Sequence, residues 1–300
     1  LFSEAKIKLK QEAIVVLHYN KIRLTRRCVQ SILDAGYSPG QVYCFDNGSQ
    51  PGVSQQLQED FSLCLHRRIE VNLGFSGGFN RALEWVFSAG ASSALFCTND
   101  TIVLPGAAEA CLKTAGQTGA GMVAPLITFI YKPETIDAIG AYFDADTGTL
   151  HHYRQYGLPE LLDPQKDYMP GTALWIHIET FNQLAGTDES FHMYWEDVDL
   201  CFRAHQQGIP LARCYSAHIR HGGGQTVRKK PLYTTFYFLR NRVRFCKRHL
   251  KEETRDRVLK KIYQELMNSG SQWQQKGDQR RLGYLEKLLD EFPEMKKKSV

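Results

Sequence analysis

Three carboxylates fall within four residues in Trp195-Glu196-Asp197-Val198-Asp199, and Leu200-Cys201-Phe202-Arg203 follow. Crowded carboxylates raise one another's pKa, and a carboxylate poised in this way can take a proton from an attacking hydroxyl. Asp197 and Asp199 would also serve as helix caps, where negative charge is favourable. Thr98-Asn99-Asp100 closes an apolar run. A carboxylate there could bind Mg²⁺ or Mn²⁺, hard cations that take oxygen ligands and bridge phosphates, or could simply form a turn. Gly74, Gly77 and Gly78 punctuate Asn72-Leu-Gly-Phe-Ser-Gly-Gly-Phe-Asn-Arg-Ala82. They would let backbone approach a ligand closely, and a helix starting there would favour an anion such as a diphosphate. The spacing fits neither G-x-G-x-x-G nor G-x-x-x-x-G-K-[ST], so an ordinary strand-to-helix turn is the alternative. His218 and His221 precede Gly222-Gly223-Gly224. A histidine near an apolar strand is usually structural, but His221, at the lip of the glycines, could reach inward as a ligand.

Such residues need elements to hold them. Ala13-Ile-Val-Val-Leu17 reads as a buried strand, and spacing from Leu24 to Ala35 predicts a helix ended by Gly36. Strands are expected at Gln41–Phe45, Ile69–Val71 and Ala94–Cys97, with helices at about Val53–Asp60 and Phe79–Ala89. This alternation predicts an α/β fold with a mostly parallel, doubly wound sheet. Asn20, Asp46, Asn72 and Asp100 each follow a strand, where ligands bind in open α/β sheets. From Tyr131 to Asp167 the periodicity weakens, predicting loops with short strands. Ala173–Ile178 reads as a strand and Asp197–Gln207 as a helix closed by Gly208; beyond Pro231 the chain is helical and amphipathic.

With 43% hydrophobic and 23% charged residues, the 300-residue chain can bury a sizeable core. No apolar stretch reaches the length of a membrane span, roughly 18 residues. The charged start, Leu1 to Glu12, lacks a signal-peptide core, so a cytoplasmic location is expected. Eight cysteines without a C-x-x-C pair predict buried thiols in a reducing compartment. Residues 228–300 carry 20 lysines and arginines against nine acidic residues, whereas residues 1–227 carry 17 against 23. A helical appendage with a solvated face accounts for that basic tail, as would attachment to an anionic membrane surface. No nucleic-acid motif accompanies the charge.

In order and spacing these segments resemble the inverting glycosyltransferases of the GT-A fold, glycosyltransferase family 2, especially the branch that includes bacterial rhamnosyltransferases. The resemblance rests on Val15–Asn20, Asp46–Ser49, Asn72–Asn80, Thr98–Asp100, Pro170-Gly171, Gly186–Phe191, Tyr194–Arg203, His221–Gly224 and Phe236-Tyr-Phe-Leu-Arg-Asn241, spanning about residues 13–245. It implies a GT-A domain over 1–227, with a nucleotide-sugar half at about 13–105 and an acceptor half at about 120–227. A basic, mostly helical region over 228–300 follows. Donor binding would fall to Asn20, Asp46, Asn72, Gly74, Gly78, Asn80, Asn99 and Arg203. Asp46 would hold the base or ribose, and Arg203 would face the diphosphate. Asp100 would ligate a divalent metal, Mg²⁺ or Mn²⁺, with His221 as second ligand. Asp197 would be the general base; Glu196 would orient it or bind acceptor. Gly171 and Trp195 would meet the acceptor, although Trp195 fits a core position equally. One departure is Thr98, which stands where the family's metal motif often has Asp or Asn.

The resemblance thus implies transfer of a sugar from a nucleoside diphosphate, first dTDP-rhamnose and next a UDP-hexose. The acceptor would be a saccharide or lipid-linked glycan in bacterial surface polysaccharide synthesis, at the inner face of the membrane if the tail binds lipid. A degenerate glycan-binding module on the same fold is the alternative from another class. A nucleotidyltransferase would lack both the basic triphosphate loop it needs and a use for the Glu196-Asp197 pair.

Overall fold

The computed structural model describes residues 12–223 and 231–293. Residues 1–11, Gly224, the basic run 228–230, the boundary expected at 227/228 and Lys296–Lys298 lie outside them.

The first half follows the alternation. The elements are β1 (Ala13–His18), α1 (Ile22–Asp34), β2 (Val42–Asn47), α2 (Pro51–Asp60), β3 (Leu65–Ile69), α3 (Gly74–Ser88) and β4 (Ser93–Thr98). β1 pairs in parallel with β2 and β4, and β2 with β3. Successive side chains of a strand face opposite ways, and both faces are covered here. Val15, Phe45 and Phe96 pack with Phe79 and Leu83 of α3. Ile14, Val16, Cys44 and Cys97 pack with Cys28, Val29 and Ile32 of α1.

Next come β5 (Thr101–Val103), α4 (Ala107–Thr118), β6 (Met122–Phe129), β7 (Lys132–Ala138), β8 (Ala141–Asp144), β9 (Thr149–His152) and β10 (Asp167–Tyr168). β11 (Ala173–His177), α5 (Ile178–Leu184), α6 (Glu196–Gln206) and β12 (Leu211–His221) complete this half. The nine-stranded sheet runs β3-β2-β1-β4-β11-β6-β12-β5, with β7 against β6. It is parallel through β4; β11 is antiparallel to both neighbours, so the sheet is mixed beyond that point. β10, β8 and β9 form a separate antiparallel sheet. The aperiodic stretch after Tyr131 therefore supplies β7 to β10.

Two boundaries moved. The strand expected at Ile69–Val71 ends at Ile69, where pairing with β2 stops and Val71 is exposed. The helix expected from Phe79 begins at Gly74. A Cβ at Gly78 would sit 2.7 Å from Asn47 Nδ2 and 3.0 Å from Leu17 Cδ1. Close packing of the first turn on β1 and β2 outweighs the weak helix propensity of glycine.

α7 (Pro231–His249), α8 (Glu252–Gln275) and α9 (Gln279–Glu291) finish the described chain. They extend the main core: the Phe245 ring of α7 lies 5.0 Å from Phe143, 5.2 Å from Trp195 and 4.9 Å from Phe202. All eight cysteines are buried and free. Among the described residues no helix is long and apolar enough to cross a membrane.

Candidate active site

A cleft of about 420 Å³ opens across the carboxyl ends of β1, β2 and β4, the place where open α/β sheets bind ligands. Leu17, Tyr19, Asn47, Asn72, Gly74 and Phe75 line it from the β1, β2 and α3 side of the sequence, together with Thr98, Asn99 and Asp100 at the end of β4. Pro170, Gly171, Thr172, His192, Met193, Tyr194, Glu196 and Asp197 line it as well, as do His152, His221 and Tyr233.

Asp100 and His221 are brought together because the end of β12 pairs with β5, setting His221 opposite Thr101. His221 Nε2 lies 3.5 Å from Asp100 Oδ2, and His221 Nδ1 lies 2.9 Å from Asp137 Oδ2 at the end of β7. Burial would lower the histidine pKa, but the two flanking carboxylates outweigh it and push it up to about 9. Burial likewise opposes ionisation of Asp100, yet His221 and the Thr98 hydroxyl hold its pKa below the usual range. Thr98 Oγ1 donates to Asp100 Oδ1 at 2.9 Å. The threonine that departs from the family motif therefore braces the carboxylate. Among the described residues no group of three or more His, Cys, Asp or Glu could enclose a metal. Asp100 and His221 instead fit a cation that takes its remaining ligands from phosphate and water. Asp137 on the far ring nitrogen matches the carboxylate–histidine arrangement that orients metal-binding imidazoles.

The same cleft holds the carboxylate pair. Asp197 accepts backbone N–H groups on both oxygens, from Gly171 and from Val198, each at 2.9 Å. Burial raises its pKa against those two bonds. Glu196 is also buried, and its Oε2 finds no hydrogen-bond partner among the described residues. Burial first, and then the Asp197 charge, push Glu196 well above the carboxylate range. The two differ in support: burial and the Asp197 charge disfavour the charged form of Glu196, while two fixed N–H groups favour that of Asp197.

Several candidates lie elsewhere. Arg203 does not face the cleft. Its guanidinium donates to Asp199 at 2.8 Å, to the Leu184 carbonyl at 2.6 Å and to the Gly186 carbonyl at 2.7 Å. Position 203 is two helical turns beyond Glu196, and the buried Asp199 one turn before it captures the charge. Trp195 is a core residue, 1% exposed and packed on Phe143, Phe238 and Phe245. Asn80 is buried and ties α3 to Thr187 through bonds of 2.8 Å in both directions. Asn20 Oδ1 accepts the Gln50 N–H, and Asp46 Oδ1 accepts the Ser49 N–H, each at 2.9 Å. Both brace the β2–α2 turn, and Asn47 is the residue of that turn that lines the cleft. Gly78 serves helix packing. Asn72, Gly74, Asn99, Asp100, Gly171, Glu196, Asp197 and His221 all line the cleft.

Asp137, His152, His192 and Tyr233 were not anticipated. Asp137 had a signal, a single carboxylate among apolar neighbours in Ile136-Asp137-Ala138-Ile139. The others carry none, because only the packing of β9, of the loop before α6 and of α7 brings them to the cleft.

Residues 13–181 match glycosyl transferase family 2. The chain is 25% identical over 244 residues to an N-acetylglucosaminyl-diphospho-decaprenol L-rhamnosyltransferase of Mycobacterium tuberculosis, covering 73% of this chain and 78% of that one. Among solved structures, GalNAc-T7 with UDP, GalNAc and Mn²⁺ superposes with a TM-score of 0.56 at 14% identity, covering 70% of this chain and 43% of GalNAc-T7. S. aureus TarS 1–349 gives 0.53 at 12% identity, covering 84% and 70%. At such identities the solved structures speak for the fold, which is that of the GT-A glycosyltransferases. With a match over more than half its length, the chain belongs to glycosyl transferase family 2.

Proposed function

We propose that this transferase is metal-dependent and inverting, and moves a sugar from a nucleoside diphosphate to a saccharide or lipid-linked glycan acceptor. The observation that carries this reading is that the Asp100–His221 pair and the Glu196–Asp197 pair line one cleft. The rhamnosyltransferase relative makes dTDP-rhamnose the first donor to test and a UDP-hexose the next.

Asn72, Gly74 and Phe75, which line the cleft beside the capped start of α3, bind the donor. Asp100 and His221 would hold a divalent cation, which would supply neutralisation of charge on the leaving diphosphate. The acceptor hydroxyl lies against Asp197 and attacks the anomeric carbon from the face opposite the diphosphate. The new C–O bond forms as the C–O bond to phosphate breaks, and Asp197 receives the hydroxyl proton. Holding both substrates in line supplies much of the remaining acceleration. Glu196, whose Oε2 has no hydrogen-bond partner among the described residues, orients Asp197 or meets an acceptor oxygen.

We place the enzyme at the cytoplasmic face of the membrane, where a basic 228–300 region would meet anionic headgroups. Sedimentation with anionic but not neutral liposomes is expected.

The test is a thermal-shift screen of nucleotide sugars with Mn²⁺ and with EDTA. One donor should raise the Tm only with metal, and Asp100→Ala should abolish that metal-dependent shift. No shift from any donor at saturating concentration refutes the donor site.

A further inference from the structure

The segment Phe236-Tyr237-Phe238-Leu239-Arg240-Asn241 is part of the family resemblance, yet none of it lines the cleft. It lies in the middle of α7, away from the cleft lining. Asn241 is fully buried, and its side-chain amide points out of its own helix at a loop. Nδ2 donates to the carbonyls of Phe191 at 2.7 Å, Met193 at 2.8 Å and Tyr194 at 2.8 Å. Three carbonyl acceptors fix the amide orientation, since the flipped group would set oxygen against oxygen. Oδ1 accepts from Arg240 Nε at 2.9 Å, and Arg240 in turn donates to the carbonyls of Ser190 at 2.7 Å and Phe191 at 3.0 Å.

That loop has unusual backbone. His192, Tyr194 and Trp195 adopt φ of 64°, 66° and 71°, and none is glycine. Left-handed conformations at bulky residues persist only where the surroundings over-determine them. The surroundings here are α7 on one side and α3 on the other. His192 O accepts the Ser76 N–H at 3.1 Å, and the His192 ring abuts Gly74. Met193 and Tyr194 line the cleft, and Trp195 leads directly into Glu196 and Asp197.

We propose that Asn241 is a positioning residue of the transfer reaction: by gathering the Phe191, Met193 and Tyr194 carbonyls it holds the left-handed loop that presents Glu196 and Asp197 to the acceptor. The proposal rests on the functional reading above. It gives α7 a share in the active site, since the carboxylate wall has its shape only while α7 is docked. Asn241 touches neither substrate. Its removal lets the carboxylates drift, and misplacement by about 1 Å can cost ~10²-fold in rate.

The experiment compares Asn241→Asp and Asn241→Ala with Val243→Ala, a buried position of the same helix that packs in the core. Steady-state transfer is measured together with hydrogen exchange. Both Asn241 variants are expected to lower kcat about 100-fold with donor KM within about twofold of wild type. The amides of residues 192–195 should exchange faster in them while those of α7 stay protected. Val243→Ala should lower the Tm without either effect. An Asn241 variant with kcat within about threefold of wild type overturns the proposal, as does unchanged exchange at residues 192–195. If Asn241→Asp does not fold, Asn241→Ala alone decides through the same readouts. Failure of the functional reading would appear separately, as no transfer by the wild-type chain with any donor, and the exchange result would still test the loop.

Discussion

Asp199 shares a four-residue run with the proposed base but has a different task, and replacing it by asparagine separates the two. Asp199 is fully buried and accepts from Arg203 Nε at 2.8 Å, Arg248 Nη1 at 2.8 Å and His249 Nε2 at 2.9 Å. The bond partners come from α6 and α7, so this carboxylate fastens one helix to the other. Asp199→Asn leaves two guanidiniums facing a neutral amide. Removing one partner of a buried ion pair costs about 3–5 kcal/mol, and the partial exposure of Arg203 and Arg248 reduces that to about 2–3 kcal/mol. The carboxylate's own titration agrees. Burial opposes ionisation, but His249 and the two arginines hold its pKa at about 2, against 3.8 when free. That difference is worth about 2 kcal/mol. At about 2–4 °C per kcal/mol for a chain approaching this size, the Tm should fall by ~4–12 °C at pH 7. A carboxylate whose pKa is depressed by folding stabilises above its unfolded value and loses that contribution as pH falls through its folded value. The Tm gap between wild type and Asp199→Asn should therefore be full at pH 7 and pH 5 and shrink from about pH 4 to about pH 2. Differential scanning fluorimetry across that range is the assay, with transfer measured below the variant's Tm. A Tm within 1 °C of wild type, or a catalytic loss without a Tm loss, would refute the assignment.

Asp197→Asn should lower kcat by about 10²–10⁴-fold, the range for a lost general base, while nucleotide-induced Tm shifts stay as in wild type; loss of nucleotide binding would make Asp197 structural. Arg203→Ala should lower the Tm and leave donor affinity unchanged, because its donors serve Asp199 and two carbonyls; a tenfold rise in donor Kd by calorimetry would return it to the diphosphate. Gly74→Ala should weaken donor binding and stability together. The new Cβ would sit 2.3 Å from His192 Nδ1 on a residue with φ of +76°, and wild-type-like binding in a titration would show the loop freer than drawn.

Local chemistry made much of this protein legible from its residues alone. Ala13–Leu17 is apolar and β-branched throughout, and a strand buried on both faces has no other way to be written. Asp100 could be placed at a strand end because the apolar run stops at Thr98, and the doubly wound first half followed from alternation with helical spacing. The start of α3 was misread because glycine signals a loop until the neighbouring strands are known. Asp199 looked like Asp197 in composition, and about half a turn of helix decided otherwise: Asp197 meets the Gly171 N–H, while Asp199 meets Arg203 and the far end of α7. What the sequence by itself determined was which residue types were available and which elements would carry them. Only the tertiary structure decided which carboxylates share the cleft. That choice depends on register and docking, as when β12 sets His221 between Asp100 and Asp137 or α7 gathers the loop before α6. Those pairings join positions tens of residues apart, and no local spacing encodes a contact that exists only after the chain has closed on itself.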